Sequence, residues 1–571
     1  MFLFQIFRSF RPLVNPIGFG PSDFIELALA AVLVLIAITW RAWIETNARK
    51  LAERTGWCML LVGILPIALR LLLLPHSPAP SPGVADDFSY LLIADTLLHG
   101  RLANPVHPLH QFFETFFVLQ EPSYSSVFPI GQGIVLALGR MVFGHPWAGV
   151  LLSVGTFCAL CYWMLRTWTT PGWALLGGLL AGLEFGPLNQ WMNSYWGGAV
   201  SAMAGCLVFG AVPRLLSEWR TRDAALLGLG ISLQILTRPY ESVLLLMSVA
   251  AFFAPIIRQT DQLRRLAKVT PVLVLAVLPG ALLTLLHNKQ VTGNWTVLPN
   301  ALSRYQYGVP AAFTFQPNPV PHRDLTREQG LDYELQAQVH GKDTDTFRTY
   351  LTRLGTRARF YRFFFLVPLY LALPAFLWKL GEYRFVWVLI SVFIFALGSN
   401  FYPYFYSHYI AAATCLFVLM SVAGLEQLSR WNWPGWIAGS DAARLIVYLC
   451  LAHFVFWYGL HLAASQAFSK ELISYETWDA INQGDPDGRI AIAGQLSGIP
   501  GRQLVFVRYW PPHAFQEWVY NAADIDGSRI VWARDLGSAE DDKLRSYYPD
   551  RSAWLLEPDF HPPRLTPYRP N

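Results

Sequence analysis

Residues 57–74 read WCMLLVGILPIALRLLLL, and residues 75–90 continue as PHSPAPSPGVADDFSY. The first run is apolar enough to span a bilayer, whose hydrocarbon core is ~30 Å thick. Pro75, Pro78, Pro80 and Pro82 then end the helix, and the chain turns polar. Asp86-Asp87-Phe88-Ser89-Tyr90 follows, at the head of an amphipathic stretch over 88–98. A charge pair at a membrane surface costs free energy unless it does something. The acids either cap the following helix, favoured by its positive N-terminal end, or act on a ligand. Adjacent helical residues point ~100° apart, so both cannot face one ligand equally. One base and one orienting or capping partner is the more natural division.

The rest of the chain fits that beginning. Of 571 residues, 54% are hydrophobic, 15% aromatic and 14% charged, and the mean hydropathy is +0.34. Such a composition excludes an ordinary soluble domain. Runs of apolar residues predict twelve spans: 24–43, 57–74, 147–165, 173–187, 196–216, 224–236, 242–257, 269–287, 361–380, 385–397, 405–424 and 445–462. Cys58, Cys158, Cys161, Cys206, Cys415 and Cys450 all fall in apolar segments and read as packing residues. No cleavable signal peptide is expected, because basic residues follow 24–40.

Lys and Arg in the short loops orient the spans. Arg41, Arg49, Lys50 and Arg54 form one cluster; Arg214, Arg220 and Arg222 form a second; Arg258, Arg264, Arg265 and Lys268 form a third. Lys379 with Arg384, and Arg430 with Arg444, complete the cytoplasmic set. The apolar run 130–143 decides the parity. Counting it as a span would put the second cluster outside. Its length gives roughly 21 Å of helix, so it is read as an interfacial or re-entrant helix. Three large pieces then lie outside: 75–143, 288–360 and the tail. The predicted domains are a membrane domain over 1–465 and a small outside α/β domain over 466–571. The tail holds short strands at 503–507, 528–532 and 553–556. Asp524-Ile525-Asp526-Gly527 reads as a turn, because the rest of a calcium loop is missing. The pair His107 and His110 has Pro108 within its spacing and no third ligand, so a metal site is not expected there.

The acidic pair in a first large outside loop, with Tyr124-Ser125-Ser126-Val127-Phe128-Pro129-Ile130-Gly131-Gln132-Gly133 at the loop's far end, resembles the GT-C glycosyltransferases. The likeness is to protein O-mannosyltransferases, aminoarabinose transferases and bacterial RgtA/B/C/D-like enzymes. It is best over 83–144 and looser to about 307. The resemblance implies a polytopic GT-C fold and inverting transfer of a sugar from a polyprenyl-phosphate donor. The acceptor would be a glycan, lipid or protein at the periplasmic face of a bacterial inner membrane. Membrane lipids are expected partners and nucleic acid is not. No cofactor is expected, although Asp86 and Asp87 have the chemistry to hold a divalent metal. Asp86 matches the family's base, whereas Asp87 stands where relatives often carry Glu. Relatives of the aminoarabinose type place a lysine before the proline motif that ends the loop. Here 127–131 holds no cation, so the phosphate's partner is sought in Arg238, Lys289, Arg304 or Arg101. Arg238 and Glu241 flank a tight turn and form either a phosphate clamp or a structural ion pair. Asn193 and Tyr195, with Asn189, line the substrate cavity or form an interfacial belt. A transporter or flippase is the rival reading; two similar halves would mark one, and no internal repeat is visible.

Overall fold

A computed structural model describes residues 21–255, 259–341, 344–431, 438–463, 488–513 and 517–569. The predicted domain boundary at 465/466, and Arg258, lie outside the described residues. The helices are α1 (Pro21–Ala52), α2 (Thr55–Leu72), α3 (Ala85–Leu98), α4 (Ile130–Phe143), α5 (Pro146–Leu165), α6 (Pro171–Glu184) and α7 (Ala199–Glu218). They continue as α8 (Thr221–Thr237), α9 (Pro239–Phe253), α10 (Thr260–Thr292), α11 (Pro299–Tyr307), α12 (Arg327–His340) and α13 (Phe347–Arg357). The last are α14 (Tyr383–Ser399), α15 (Thr414–Ser429), α16 (Gly439–Leu462), α17 (Arg489–Gly498) and α18 (Ser538–Tyr547).

Seven helices among the described residues are long and apolar enough to cross a membrane. Each coincides with one of the twelve predicted spans, and the other five predicted spans take a different form. Those at 173–187, 224–236, 242–257 and 385–397 are helices of 14 to 17 residues. The span at 361–380 is not one helix. It runs as 3₁₀ segments Ala358–Phe364, Val367–Leu371 and Leu377–Gly381 around the single turn Leu373–Phe376. Pro368 and Pro374 explain the break, because each removes a donor and clashes with the preceding turn. The broken segment still passes from Arg357, bound to the Ser399 carbonyl, to Lys379, paired with Glu426 at the far end of α15. Irregular backbone at that depth is tolerated because protein surrounds it.

Helix α4 occupies the residues of the predicted interfacial segment. Its first residue, Ile130, lines the cavity described below, and Gly131 presses against Thr237 at the end of α8. Its other end turns at Gly144, in the left-handed region at φ 77°. Trp147 follows directly and donates to the Met192 carbonyl at 2.8 Å. The Arg70 guanidinium lies 4.7 Å over the Trp147 ring and binds Asn193. Both ends of α4 thus lie at the same end of the bundle. The far end of α5 lies at the other, where Arg166 binds the Ala52 carbonyl.

The tail folds as a four-stranded sheet in the order β4-β3-β5-β6, from β3 (Arg502–Val507), β4 (Ile530–Arg534), β5 (Arg551–Glu557) and β6 (Arg564–Pro567). A small hairpin, β1 (Val118–Leu119) with β2 (Ser125–Ser126), lies in the first loop. β3 is parallel to β4 and β5, and β6 is antiparallel to β5. Asp524 accepts from the Gly527 amide at 3.0 Å, which makes 524–527 a turn. His107 bonds Tyr548, whereas His110 lies against Arg323, so the two histidines serve different contacts. The sheet domain shares an apolar cluster with the first loop: Leu92, Phe112 and Phe113 pack with Leu504, Phe506 and Tyr520. Phe88 stacks on Tyr520 at 4.3 Å, and Asp95 accepts from the Ala523 amide at 2.7 Å. Arg534 joins Glu517 to Glu328 on α12, with all three buried.

Candidate active site

Where α3, α8, α9, α10, α11, α12 and the segment 402–409 ahead of α15 converge, the chain leaves a cavity of 790 Å³. Asp86, on the first turn of α3, lines it; Asp87 does not. The helix turn separates the two acids. Asp87 is buried, and its oxygens accept from the Tyr195 amide at 2.8 Å and the Gly83 amide at 3.1 Å. It therefore ties the loop before α3 to the loop before α7. Burial pushes its carboxyl up to about 6, and those two amides pull it back. Asp86 is half-buried. Burial, then the charge of Asp87, pushes its carboxyl up to about 7, and Arg238 pulls it back. Of the two acids, Asp86 faces the cavity. Among the described residues no group of three His, Cys, Asp or Glu side chains is disposed to hold a metal.

Arg238 lies between α8 and α9 at the cavity wall. Pro239 opens α9 at its first position, where no amide donor is needed. The break aims the Arg238 side chain inward. Its guanidinium lies 5.3 Å over the Tyr409 ring and 3.9 Å from a Glu241 oxygen. That separation is long for a charged hydrogen bond. No guanidinium hydrogen of Arg238 is committed to a hydrogen bond with a described residue. Arg304, on α11, lines the same cavity and donates to Asn300 at 3.2 Å.

The remaining candidates sit elsewhere. Lys289 is exposed and donates to the Gly293 carbonyl at the end of its own helix. Arg101 does not line the cavity. Asn193 is buried; it accepts from Arg70 at 2.7 Å and donates to the Pro187 and Asn189 carbonyls. The Tyr195 hydroxyl donates to the Pro80 carbonyl at 2.8 Å. Both residues support the cavity's frame rather than lining it, because their polar atoms are used on backbone and on Arg70.

Sequence reading missed much of the wall. Tyr402, Tyr404, Tyr406, His408 and Tyr409 form one side, Tyr90 and Trp196 another, and Asp332 and Gln336 come from α12. The dense aromatic run 402–409, which carries no Lys, Arg, Asp or Glu, was the available signal. An arrangement of two arginines, the carboxylates of Asp86, Glu241 and Asp332, and an aromatic wall suits a ligand with an anionic group and a large polar or ring-bearing part.

No family model matches this chain, and no curated protein matches it. Solved structures do. ArnT from Cupriavidus metallidurans, apo, is 13% identical over 88% of this chain and 93% of its own, with a TM-score of 0.46. The same protein bound to undecaprenyl phosphate is 12% identical over the same shares, with a TM-score of 0.47. The oligosaccharyltransferase of Archaeoglobus fulgidus, with zinc and sulfate, is 11% identical over 88% of this chain and 67% of its own, with a TM-score of 0.45. Identity this low leaves the chemistry to be read from the cavity itself.

Proposed function

We propose that the chain is an inverting GT-C glycosyltransferase that moves a sugar from a polyprenyl-phosphate donor to an acceptor. The supporting observation is the shared cavity of Asp86 and Arg238 at the end of the bundle. In this reading the acceptor hydroxyl gives its proton to Asp86 as its oxygen attacks the sugar's anomeric carbon. The bond from that carbon to the lipid phosphate oxygen breaks, and the phosphate leaves as an anion. A carboxyl with a pKa of about 7 suits a base working near neutral pH. Arg238 offers a planar fork of donors to the departing phosphate, and Arg304 a second charge. Asp87 holds the loops that aim Asp86. The cavity end faces the periplasm of a bacterial inner membrane, with 1–465 in the membrane and 466–571 outside. Loops 75–143 and 288–360 share that outside face.

The test begins with a strain lacking the chain. Lipid extracts and surface glycans compared by mass spectrometry identify the donor that accumulates and the product that disappears. Asp86→Asn should then cost 10²–10⁴-fold in transfer from that donor while the protein still accumulates. Near-normal turnover by Asp86→Asn would remove Asp86 from the base role.

A further inference from the structure

We propose that Asp332 and Gln336 form a subsite that binds adjacent hydroxyl groups of a neutral sugar inside the cavity. The subsite deepens the transfer reading above and rests on it. Asp332 and Gln336 are one turn apart on α12, and both line the cavity. The Gln336 side-chain carbonyl accepts from the Ala311 amide at 2.8 Å. That bond fixes which way the Gln336 amide points. Its nitrogen then donates to one Asp332 oxygen at 2.8 Å. The other Asp332 oxygen has no partner among the described residues.

A Gln-Asp pair at this spacing stabilises a helix by only a few tenths of a kcal/mol. Withdrawing a carboxylate even partly from water costs more than that, so the pair alone does not explain why Asp332 sits half-buried in the cavity wall. The helix is also held firmly. Thr326 and Gln329 form a capping box at its start, and Glu328 is bound by Arg534. A carboxylate fixed in this way presents one oxygen with two lone pairs, which accepts from two neighbouring hydroxyls. Charge narrows the ligand. Arg238 and Arg304 in the same cavity disfavour a cation near Asp332, and Asp86 and Glu241 disfavour a second anion beside it. Neutral hydroxyls remain. Tyr404 and Tyr406 supply an aromatic wall for the ring's C–H face. The hydroxyls belong either to the transferred sugar or to an acceptor glycan.

Binding to the full-length protein in nanodiscs separates the cases. The probes are undecaprenyl phosphate, an undecaprenyl-phosphate-linked neutral hexose, and a free neutral oligosaccharide. Wild type and Asp332→Asn should bind undecaprenyl phosphate alike, which also shows that the variant is folded. For one sugar ligand the variant should lose about tenfold or more, the loss of a hydrogen bond to a charged group. Loss for the lipid-linked hexose assigns the donor sugar, and loss for the oligosaccharide assigns the acceptor. Asp332→Glu should restore part of it. The subsite is refuted if both sugars bind the variant as tightly as wild type. It is equally refuted if wild type gains no affinity from either sugar. Failure of wild type to bind undecaprenyl phosphate strikes the donor reading instead, and the subsite then stands or falls on the oligosaccharide.

Discussion

The pH dependence of transfer tests the cavity's electrostatics most directly. An exposed aspartate titrates near ~3.9, so its ionisation would leave no slope between pH 6 and 8. Asp86 is pushed up to about 7, first by burial and then by the charge of Asp87. A base with that pKa is roughly 10% ionised at pH 6 and roughly 90% at pH 8. The donor-limited rate, kcat/KM, should therefore rise roughly tenfold over that range and level off above it. Two variants should move the curve in opposite directions. Asp87→Asn removes a negative neighbour and should shift it to lower pH. Arg238→Ala removes a positive one and should shift it to higher pH. Stability carries the same signature with a definite sign. The folded-state pKa of Asp86 lies above its unfolded value, so folding takes up a proton. Its contribution to stability is full below about pH 4 and is lost as pH rises through about 7. Asp86→Asn should accordingly gain heat stability relative to wild type between those limits. The rate is read with purified enzyme in nanodiscs, and the melting temperature with the same samples. A flat profile, or shifts of the same sign in both variants, would refute the reasoning.

Arg238→Ala should weaken donor binding roughly 10–100-fold, the range for hydrogen bonds to a charged group, and Arg238→Lys should recover only part. Glu241→Gln should leave the donor constant nearly unchanged; equal effects of Arg238→Ala and Glu241→Gln on protein level alone would make the pair structural. Arg534→Met strands Glu328 and Glu517 without their cation and should destabilise the protein by about 3–5 kcal/mol. An unchanged melting temperature would show that the tail's docking does not depend on this triad. Single cysteines replacing Glu121 and Gly144, both exposed, should react with an impermeant maleimide from one side of the membrane, and one replacing Thr170 should not. Protection of position 144 would make α4 a crossing helix.

Long apolar runs made most of the helices legible, because a span must satisfy its backbone internally and that demand writes itself as length. Residues 130–143 were recognisable as one short helix for the same reason. The break at 361–380 was written in Pro368 and Pro374, but hydropathy alone reads through prolines. At the site, the ~100° step between helical neighbours separates Asp86 from Asp87 on the sequence alone. Asp332 was not separable. It sits in a polar loop helix beside Glu328 and Glu334, and only its place in the cavity wall sets it apart. Asn193 and Tyr195 had the right residue types in the right place. Their bonds to Arg70, Asp87 and loop carbonyls depend on elements far away in sequence.

The arginines show why charge position alone could not find the phosphate's partner. Between helices in lipid there is little hydrophobic drive, so the loops that rim a membrane cavity need other ties. Buried guanidinium groups supply them. Arg70 holds the Ser77 and Pro78 carbonyls and the Asn193 side chain. Arg357 reaches the carbonyls of Ser399, Tyr402 and Tyr404 from the end of α13. Each fastens the end of one helix to loop carbonyls, and Arg70 spends its remaining donor on the Asn193 side chain. Arg238 stands in the same layer with its fork open to the cavity. What distinguishes it is not charge or nearness to a helix end, which all three share. It is that no hydrogen bond commits its guanidinium to a carbonyl among the described residues, with Pro239 opening a new helix directly after it.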